Sequence, residues 1–161
     1  MAATNEKLQH AYDAAWIQGT PNSENCSGFL KSAGDALGFE VPNKNADGII
    51  ATFEESSREA DSIWEKLGTG EKALKKAIEL AFAGRLVIAA ATSKDYHQQN
   101  GHVAILLPKL TGPHKAPLMY GGGSANARSA GTKSIREVWS PAKHKVVRFY
   151  VHRTALLGSY E

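Results

Sequence analysis

Apolar residues in the first half of the chain recur with the period of an α-helix. Three sets are spaced by four residues, which places each set on one helix face: Leu8, Tyr12 and Trp16; Phe29, Ala33 and Leu37; and Leu74, Ile78 and Phe82. The first helix should end at the turn formed by residues 19–22, and the others should span about 25–37 and 71–82. Residues 46–67 also have a helical pattern, with a break expected near Ser56.

The second half of the chain has the pattern of buried strands. Short apolar runs, which are typical of such strands, occur at 86–89, 102–107, 117–120 and 146–151. Residues 134–139 are ambiguous between helix and strand. Because the helices precede the strands, the pattern predicts an α+β fold, in which N-terminal helices pack on a small antiparallel sheet. We find no repeat or linker, so a single domain over residues 1–161 is expected.

Composition narrows the class of protein only slightly. The chain is 42% hydrophobic and 22% charged, as is ordinary for a globular protein, and its net charge of +3 weakly favours an anionic partner. Residues 143–145, with Arg148 and Arg153, form a basic cluster. A solvated charged face would explain this cluster, and a module that binds an anionic polymer without catalysis is the alternative. We expect no nucleic-acid partner.

The start of the chain, MAATNEKLQHAYDAAW, is polar and lacks the apolar core of a signal peptide. The longest apolar run, residues 86–91, is too short to span a membrane. We therefore expect no membrane span. If the protein acts outside the cell that makes it, a route other than the general signal-peptide route is expected.

Cys26 is the single cysteine, so no internal disulfide can form. It lies in the stretch TPNSENCSGFL, at the predicted first turn of the second helix. A helix N-terminus favours the thiolate, and its free N–H groups can stabilise an oxyanion. Its neighbours Asn25, Ser27 and Gly28 are small and polar, unlike those of a buried structural cysteine. Cys26 is a candidate nucleophile, and an inert cysteine is the alternative.

A cysteine nucleophile needs a base, and His102 is the best candidate. It follows Gly101 and opens an apolar strand, where the ring can point toward a helix N-terminus packed on the sheet. The other histidines lie in polar helical or loop sequence or at a strand end: His10, His97, His114, His144 and His152. These histidines are scattered and no second cysteine is present, so we expect no metal site.

Three segments in this order, TPNSENCSGFL, GHVAILL and GTKSIREVW, resemble the first family of type VI secretion amidase effectors. These effectors are NlpC-like, papain-like cysteine peptidases, and the resemblance covers most of the chain. It implies an amidase that cuts the peptidoglycan stem peptide between D-glutamate and meso-diaminopimelate. Cys26 would be the nucleophile, His102 the base and later the acid, and no metal or organic cofactor would be needed.

The resemblance also implies a biological setting. The protein would be made in the cytoplasm without a signal peptide, injected by the type VI apparatus, and active as a toxin in the periplasm of a rival bacterium. An immunity protein would protect the producing cell. The alternative within the same fold is a housekeeping or phage-type cell-wall hydrolase, although such enzymes usually carry a signal peptide or wall-binding repeats. A monomer is the default expectation.

The third group of such a site should lie near residues 120–124, where the sequence offers no His, Asp, Asn or Gln. A backbone carbonyl near Gly122, or the hydroxyl of Ser124 or Tyr120, could orient His102, so this role stays open. The backbone N–H of Cys26 should contribute to the oxyanion hole. The residues expected to line the substrate or the oxyanion are Asn25, Ser27, Gly122 and Ser124.

Overall fold

The structure is a computed structural model that describes residues 2–17, 19–60, 62–95, 97–124, 127–139 and 144–153. The helices are α1 (Ala2–Ala15), α2 (Cys26–Leu37), α3 (Ala46–Ser56), α4 (Gly70–Phe82) and the short α5 (Ile135–Val138), and a 3₁₀ turn spans His144–Val146. The strands are β1 (Trp64–Thr69), β2 (Val87–Ala91), β3 (His102–Thr111), β4 (Ala116–Gly121), β5 (Ser129–Ser134) and β6 (Arg148–His152).

The six strands form one sheet in the order β1-β6-β2-β3-β4-β5. Every neighbouring pair is antiparallel, and Ala91 of β2 lies opposite His102 of β3. The strand β6 is inserted between β1 and β2, so it pairs on both sides. The expected α+β fold, with N-terminal helices packed on an antiparallel sheet, is confirmed.

Each face of the sheet is covered by helices. Because side chains alternate along a strand, β3 contributes Val103 and Ile105 to one core and Ala104 and Leu106 to the other. α1, α2 and α3 pack on the first face, with Tyr12, Phe29, Leu30, Ile49, Ile50 and Phe53 in the core. α4 and α5 cover the opposite face. Every residue of β2 is buried, as expected for a strand covered on both faces.

The segment 46–67 is helical only in its first part, so the prediction was wrong for the remainder. α3 ends at Ser56, and Trp64–Thr69 forms the edge strand β1. The ring of Trp64 packs on Phe53 of α3, with ring centroids 4.3 Å apart, and its backbone pairs with His152 of β6. Spacing along the chain carries no information about this pairing, because the partner strand is distant in sequence.

The bounds of α4 were predicted within one residue, and its buried stripe is shifted by one position from the predicted one, since Leu74 and Ile78 are only partly buried against the same core. Ala73, Ala77 and Ala81 face the sheet, while Phe82 is 39% exposed. The sheet presents small side chains here, including Ala89 of β2, so a stripe of alanines allows close packing of helix on sheet. The ambiguous residues 134–139 form the end of β5 followed by α5.

Candidate active site

Cys26 is the first residue of α2 and is half-buried. The preceding Asn25 caps the helix: it has extended backbone angles (φ −136°, ψ 110°), and its side-chain oxygen accepts the N–H of Gly28 at 3.1 Å. The Ser27 hydroxyl donates to the same oxygen at 2.8 Å. These side chains therefore fix the start of the helix, and the sulfur lies where unpaired backbone N–H groups converge.

The segment after β4 is packed against the turn that precedes α2. The N–H of Gly123 donates to the carbonyl of Ser23 at 3.1 Å. A Cβ atom at Gly122 would overlap the carbonyl oxygen of Asn22 and come within 2.7 Å of that of Asn25. Gly122 is buried and is not among the residues that line the cleft, so its expected role at the substrate or the oxyanion stays a prediction. Its lack of a side chain lets the two segments meet.

Gly122→Ala is expected to lower the free energy of unfolding by about 3 kcal/mol, because backbone must move to admit the methyl group. Urea unfolding measures this loss. Gly112→Ala is the matched control: a Cβ atom there meets nothing within 4 Å, and the residue has a positive φ of 73°. The control should cost only about 1 kcal/mol, from the left-handed backbone. Equal costs for the two variants would contradict the packing described for Gly122.

His102 begins β3 on the face covered by α4 and α5, and it is only 3% exposed. A Cβ atom built on Gly123 would lie 3.4 Å from Nδ1 of His102 and 3.8 Å from Cβ of Cys26. The imidazole and the thiol-bearing residue therefore flank one glycine. Gly101, just before His102, places its carbonyl oxygen 3.9 Å from Sγ of Cys26. The structure thus brings together the two residues that the sequence assigned to catalysis.

The other side of the imidazole faces Trp139, which is 1% exposed. The two rings meet edge to face, with centroids 5.2 Å apart. Within the described residues, Nε2 of His102 is buried and has no hydrogen-bond partner. Tyr120 cannot orient the ring, since its hydroxyl bonds to Asp13 on the opposite face of the sheet. Ser124 is exposed in the cleft. Aromatic packing therefore holds the imidazole on this side.

Burial is the main cause of the shifts in the pKa values of Cys26 and His102. It raises the pKa of the Cys26 thiol, and the backbone N–H groups of Val103, Ser27 and Cys26 oppose this rise only in part, while the charge of Asp47 adds to it. Burial lowers the pKa of His102 to about 4. At neutral pH the free protein therefore holds an uncharged thiol beside an uncharged imidazole. Such a pair transfers its proton during attack, with the imidazole acting as general base.

The depressed pKa of His102 predicts a pH dependence of stability. Between pH 6.5 and about 4 the unfolded chain binds a proton at this ring and the folded chain does not, so stability falls as pH falls through this window. The loss should amount to roughly 3 kcal/mol, since each pKa unit corresponds to about 1.4 kcal/mol. Urea unfolding at several pH values measures it against His102→Gln. Identical slopes for the two proteins in this window would refute the prediction.

The cleft above Cys26 and His102 has a volume of about 590 Å³. Asn25, Ser27 and Ser124 line it, and their contact with a substrate or an oxyanion stays a prediction. A second wall was not predicted from the sequence and is formed by Asn45, Asp47, Gln98, Gln99 and Asn100. The wall comes from the start of α3 and from the β2–β3 loop (residues 92–101), and no motif marks it. A cleft rich in amide and carboxylate groups suits a polar peptide more than an apolar ligand.

Arg148, which the sequence analysis placed in a basic cluster, is engaged in ion pairs. Its guanidinium lies 2.7 Å from Asp95 in the β2–β3 loop and 3.1 Å from Glu54 of α3. Lys143 and the side chain of His144 lie outside the described part of the structure. Arg148 therefore anchors the β2–β3 loop of the cleft. Because its charge is paired with these carboxylates, Arg148 no longer supports the hypothesis of a surface that binds an anionic polymer.

Comparison with known proteins finds a relative that covers most of the chain. No family model matches the chain. The peptidoglycan amidase Tse1 of Pseudomonas aeruginosa strain PAO1 is 33% identical to it over 149 residues, which cover 91% of this chain and 87% of the relative.

Among the described residues, no group of three or more His, Cys, Asp or Glu side chains is arranged to hold a metal ion.

Proposed function

This chain belongs to the family of the peptidoglycan amidase Tse1, and on that premise we propose that it hydrolyses an amide bond in the stem peptide of peptidoglycan. The proposed bond joins D-glutamate to meso-diaminopimelate. The observation that carries the proposal is the arrangement of Cys26 and His102. A thiol at a capped helix N-terminus and a buried, uncharged imidazole flank Gly123 at the base of a polar cleft.

The proposed reaction begins with attack of Sγ of Cys26 on the amide carbonyl carbon, while His102 takes the thiol proton. Backbone N–H groups at the start of α2, that of Cys26 among them, stabilise the oxyanion. His102 then gives its proton to the leaving amine nitrogen as the C–N bond breaks, which leaves a thioester. Finally His102 deprotonates a water molecule, whose attack releases the carboxylate product and restores the thiol.

The surroundings of the pair support this chemistry. Trp139 and the start of β3 keep bulk water from one side of the imidazole, and the lowered pKa of His102 leaves the ring unprotonated at neutral pH, so it is free to accept the thiol proton. The three backbone N–H groups near the sulfur favour negative charge as it develops. These fixed dipoles are in place before substrate binds, so they need no reorganisation during the reaction.

The biological setting is proposed from the sequence resemblance. We propose delivery by a type VI apparatus into the periplasm of a rival cell and neutralisation by an immunity protein in the producer. No described helix has the length and apolar character needed to cross a membrane.

Digestion of purified Gram-negative sacculi, followed by mass spectrometry of the released fragments, tests the activity. The proposal requires fragments that end in D-glutamate and matching fragments with a new amino group on diaminopimelate. The Cys26→Ala variant, which lacks the thiol, serves as the control. Cleavage of a different bond would change the assigned position of cleavage. Sacculi left undegraded by both the parent and the variant would refute the amidase function. A sedimentation assay on the same sacculi would then test simple wall binding.

A further inference from the structure

The carboxylate of Asp47 contacts both ends of the β2–β3 loop. At the first end, Oδ1 accepts the N–H of Ser93 at 2.9 Å and Oδ2 accepts the Ser93 hydroxyl at 2.5 Å. At the other end, a Cβ atom on Gly101 would overlap Oδ1, so the Gly101 backbone is packed directly against the same group. One side chain therefore joins the point where the loop leaves β2 to the point where it enters β3.

Asp47 is itself held in place by α3. It lies in the first turn of that helix, where a negative charge is favoured by the helix dipole. The helix start is capped by Asn45, whose side-chain oxygen accepts the N–H of Gly48 at 2.9 Å. The next residues on the inner face, Ile49 and Ile50, are buried in the core. The carboxylate is thus fixed to a packed helix, while the loop that it contacts lies at the surface of the cleft.

The loop that Asp47 contacts leads directly into the catalytic pair. Gly101 places its carbonyl oxygen 3.9 Å from Sγ of Cys26, and the next residue is His102. We propose that Asp47 is a positioning residue, whose carboxylate fastens both ends of the β2–β3 loop and so fixes Gly101 and His102 relative to Cys26. The kinetic consequence rests on the proposed amidase function, whereas the fastening of the loop does not.

The charge of Asp47 has a second effect that can be separated from the fastening. Its negative charge adds to burial in raising the pKa of the Cys26 thiol. The other titratable groups that line the same cleft are Glu24 and His102. An asparagine at position 47 could accept the N–H of Ser93 and donate to its hydroxyl without carrying charge. Asp47→Asn therefore keeps the hydrogen bonds and removes the charge, and Asp47→Ala removes both.

The test compares these two variants with Glu55→Ala, which removes an exposed carboxylate from the same helix. Turnover of a soluble cross-linked muropeptide gives kcat and KM, and hydrogen exchange of residues 92–101 reports the fastening. Asp47→Ala should lower kcat about 10- to 100-fold, the cost of a misplaced catalytic group, and should raise exchange at Ser93. Asp47→Asn should recover most of the lost kcat. Glu55→Ala should match the parent in both measurements.

The rate of Cys26 alkylation by iodoacetamide, followed against pH, supplies a readout that a purely structural role would not change. Asp47→Asn should shift this profile to lower pH while hydrogen exchange stays at the parental level. Parental exchange in Asp47→Ala, or equal kcat losses in the two variants, would overturn the proposal. If the parent does not turn over the muropeptide, the proposed function fails, and exchange in Asp47→Ala still decides whether the carboxylate fastens the loop.

Discussion

Replacement of Cys26 by alanine is expected to reduce the release of peptidoglycan fragments by about 10,000-fold or more, since nucleophile removal in enzymes of this type leaves only binding and oxyanion stabilisation. The hydroxyl of Ser27 is the nearest alternative in sequence, and it is engaged with the cap of α2 at 2.8 Å. Fragment release from sacculi, measured by mass spectrometry over a long incubation, gives the residual rate.

The fold should survive this change. Cys26 is half-buried at a helix end, so loss of its sulfur should alter the free energy of unfolding by less than about 1 kcal/mol. Cys26→Ser provides the matched control, because it keeps a side chain of similar size but replaces the thiol with a hydroxyl, which is a much weaker nucleophile near neutral pH. It should be nearly as inactive as the alanine variant. Substantial release by Cys26→Ala, with a parental unfolding curve, would exclude Cys26 as the nucleophile, whereas residual release by Cys26→Ser alone would reflect attack by the serine hydroxyl.

Replacement of His102 by glutamine should lower kcat about 1,000- to 10,000-fold, because the thiol then loses its base and the leaving amine loses its acid. Glutamine fills part of the space against Trp139 but cannot carry the proton. His114→Gln is the control for loss of a histidine as such, since His114 lies in the exposed turn between β3 and β4. It should behave as the parent does.

A second measurement assigns the loss to proton transfer. In His102→Gln, Cys26 should still be alkylated at high pH, where hydroxide removes the thiol proton, so an intact thiol would accompany the lost turnover. If His102→Gln retained kcat within tenfold of the parent, another group would have to act as the base. If the thiol became unreactive at every pH, the substitution would have disturbed the start of α2. The role of His102 as the base would then lose its support, and only the role of Cys26 as the nucleophile would stand.

The parts of this molecule that could be predicted from sequence depend on local signals. The four-residue spacing of Phe29, Ala33 and Leu37 marks α2, and the apolar run after Gly101 marks β3. The helical spacing locates Cys26 in the first turn of a helix and the apolar run places His102 at a strand start, so both candidates could be named from short segments. Their mutual approach around Gly123 required the folded chain.

The features that were missed depend on contacts between distant segments. Trp64 begins a strand because β6 pairs with it, and Trp139 covers His102 although the two are far apart in sequence. Asp47 has no motif: an aspartate in the first turn of a helix is ordinary, and only the positions of Ser93 and Gly101 give it a role. Gly122 was expected to line the substrate or the oxyanion, because its close approach to the turn before α2 cannot be deduced from spacing.

The position of β6 has a consequence for synthesis of the protein on the ribosome. The strand enters the sheet between β1 and β2, which are made long before it, so β1 stays unpaired and β2 pairs only with β3 until residues 148–152 have left the exit tunnel. Non-local pairing of this kind makes folding slow. A nascent chain that already contains both Cys26 and His102 therefore still has a divided sheet, and assembly of the complete sheet waits until β6 is available.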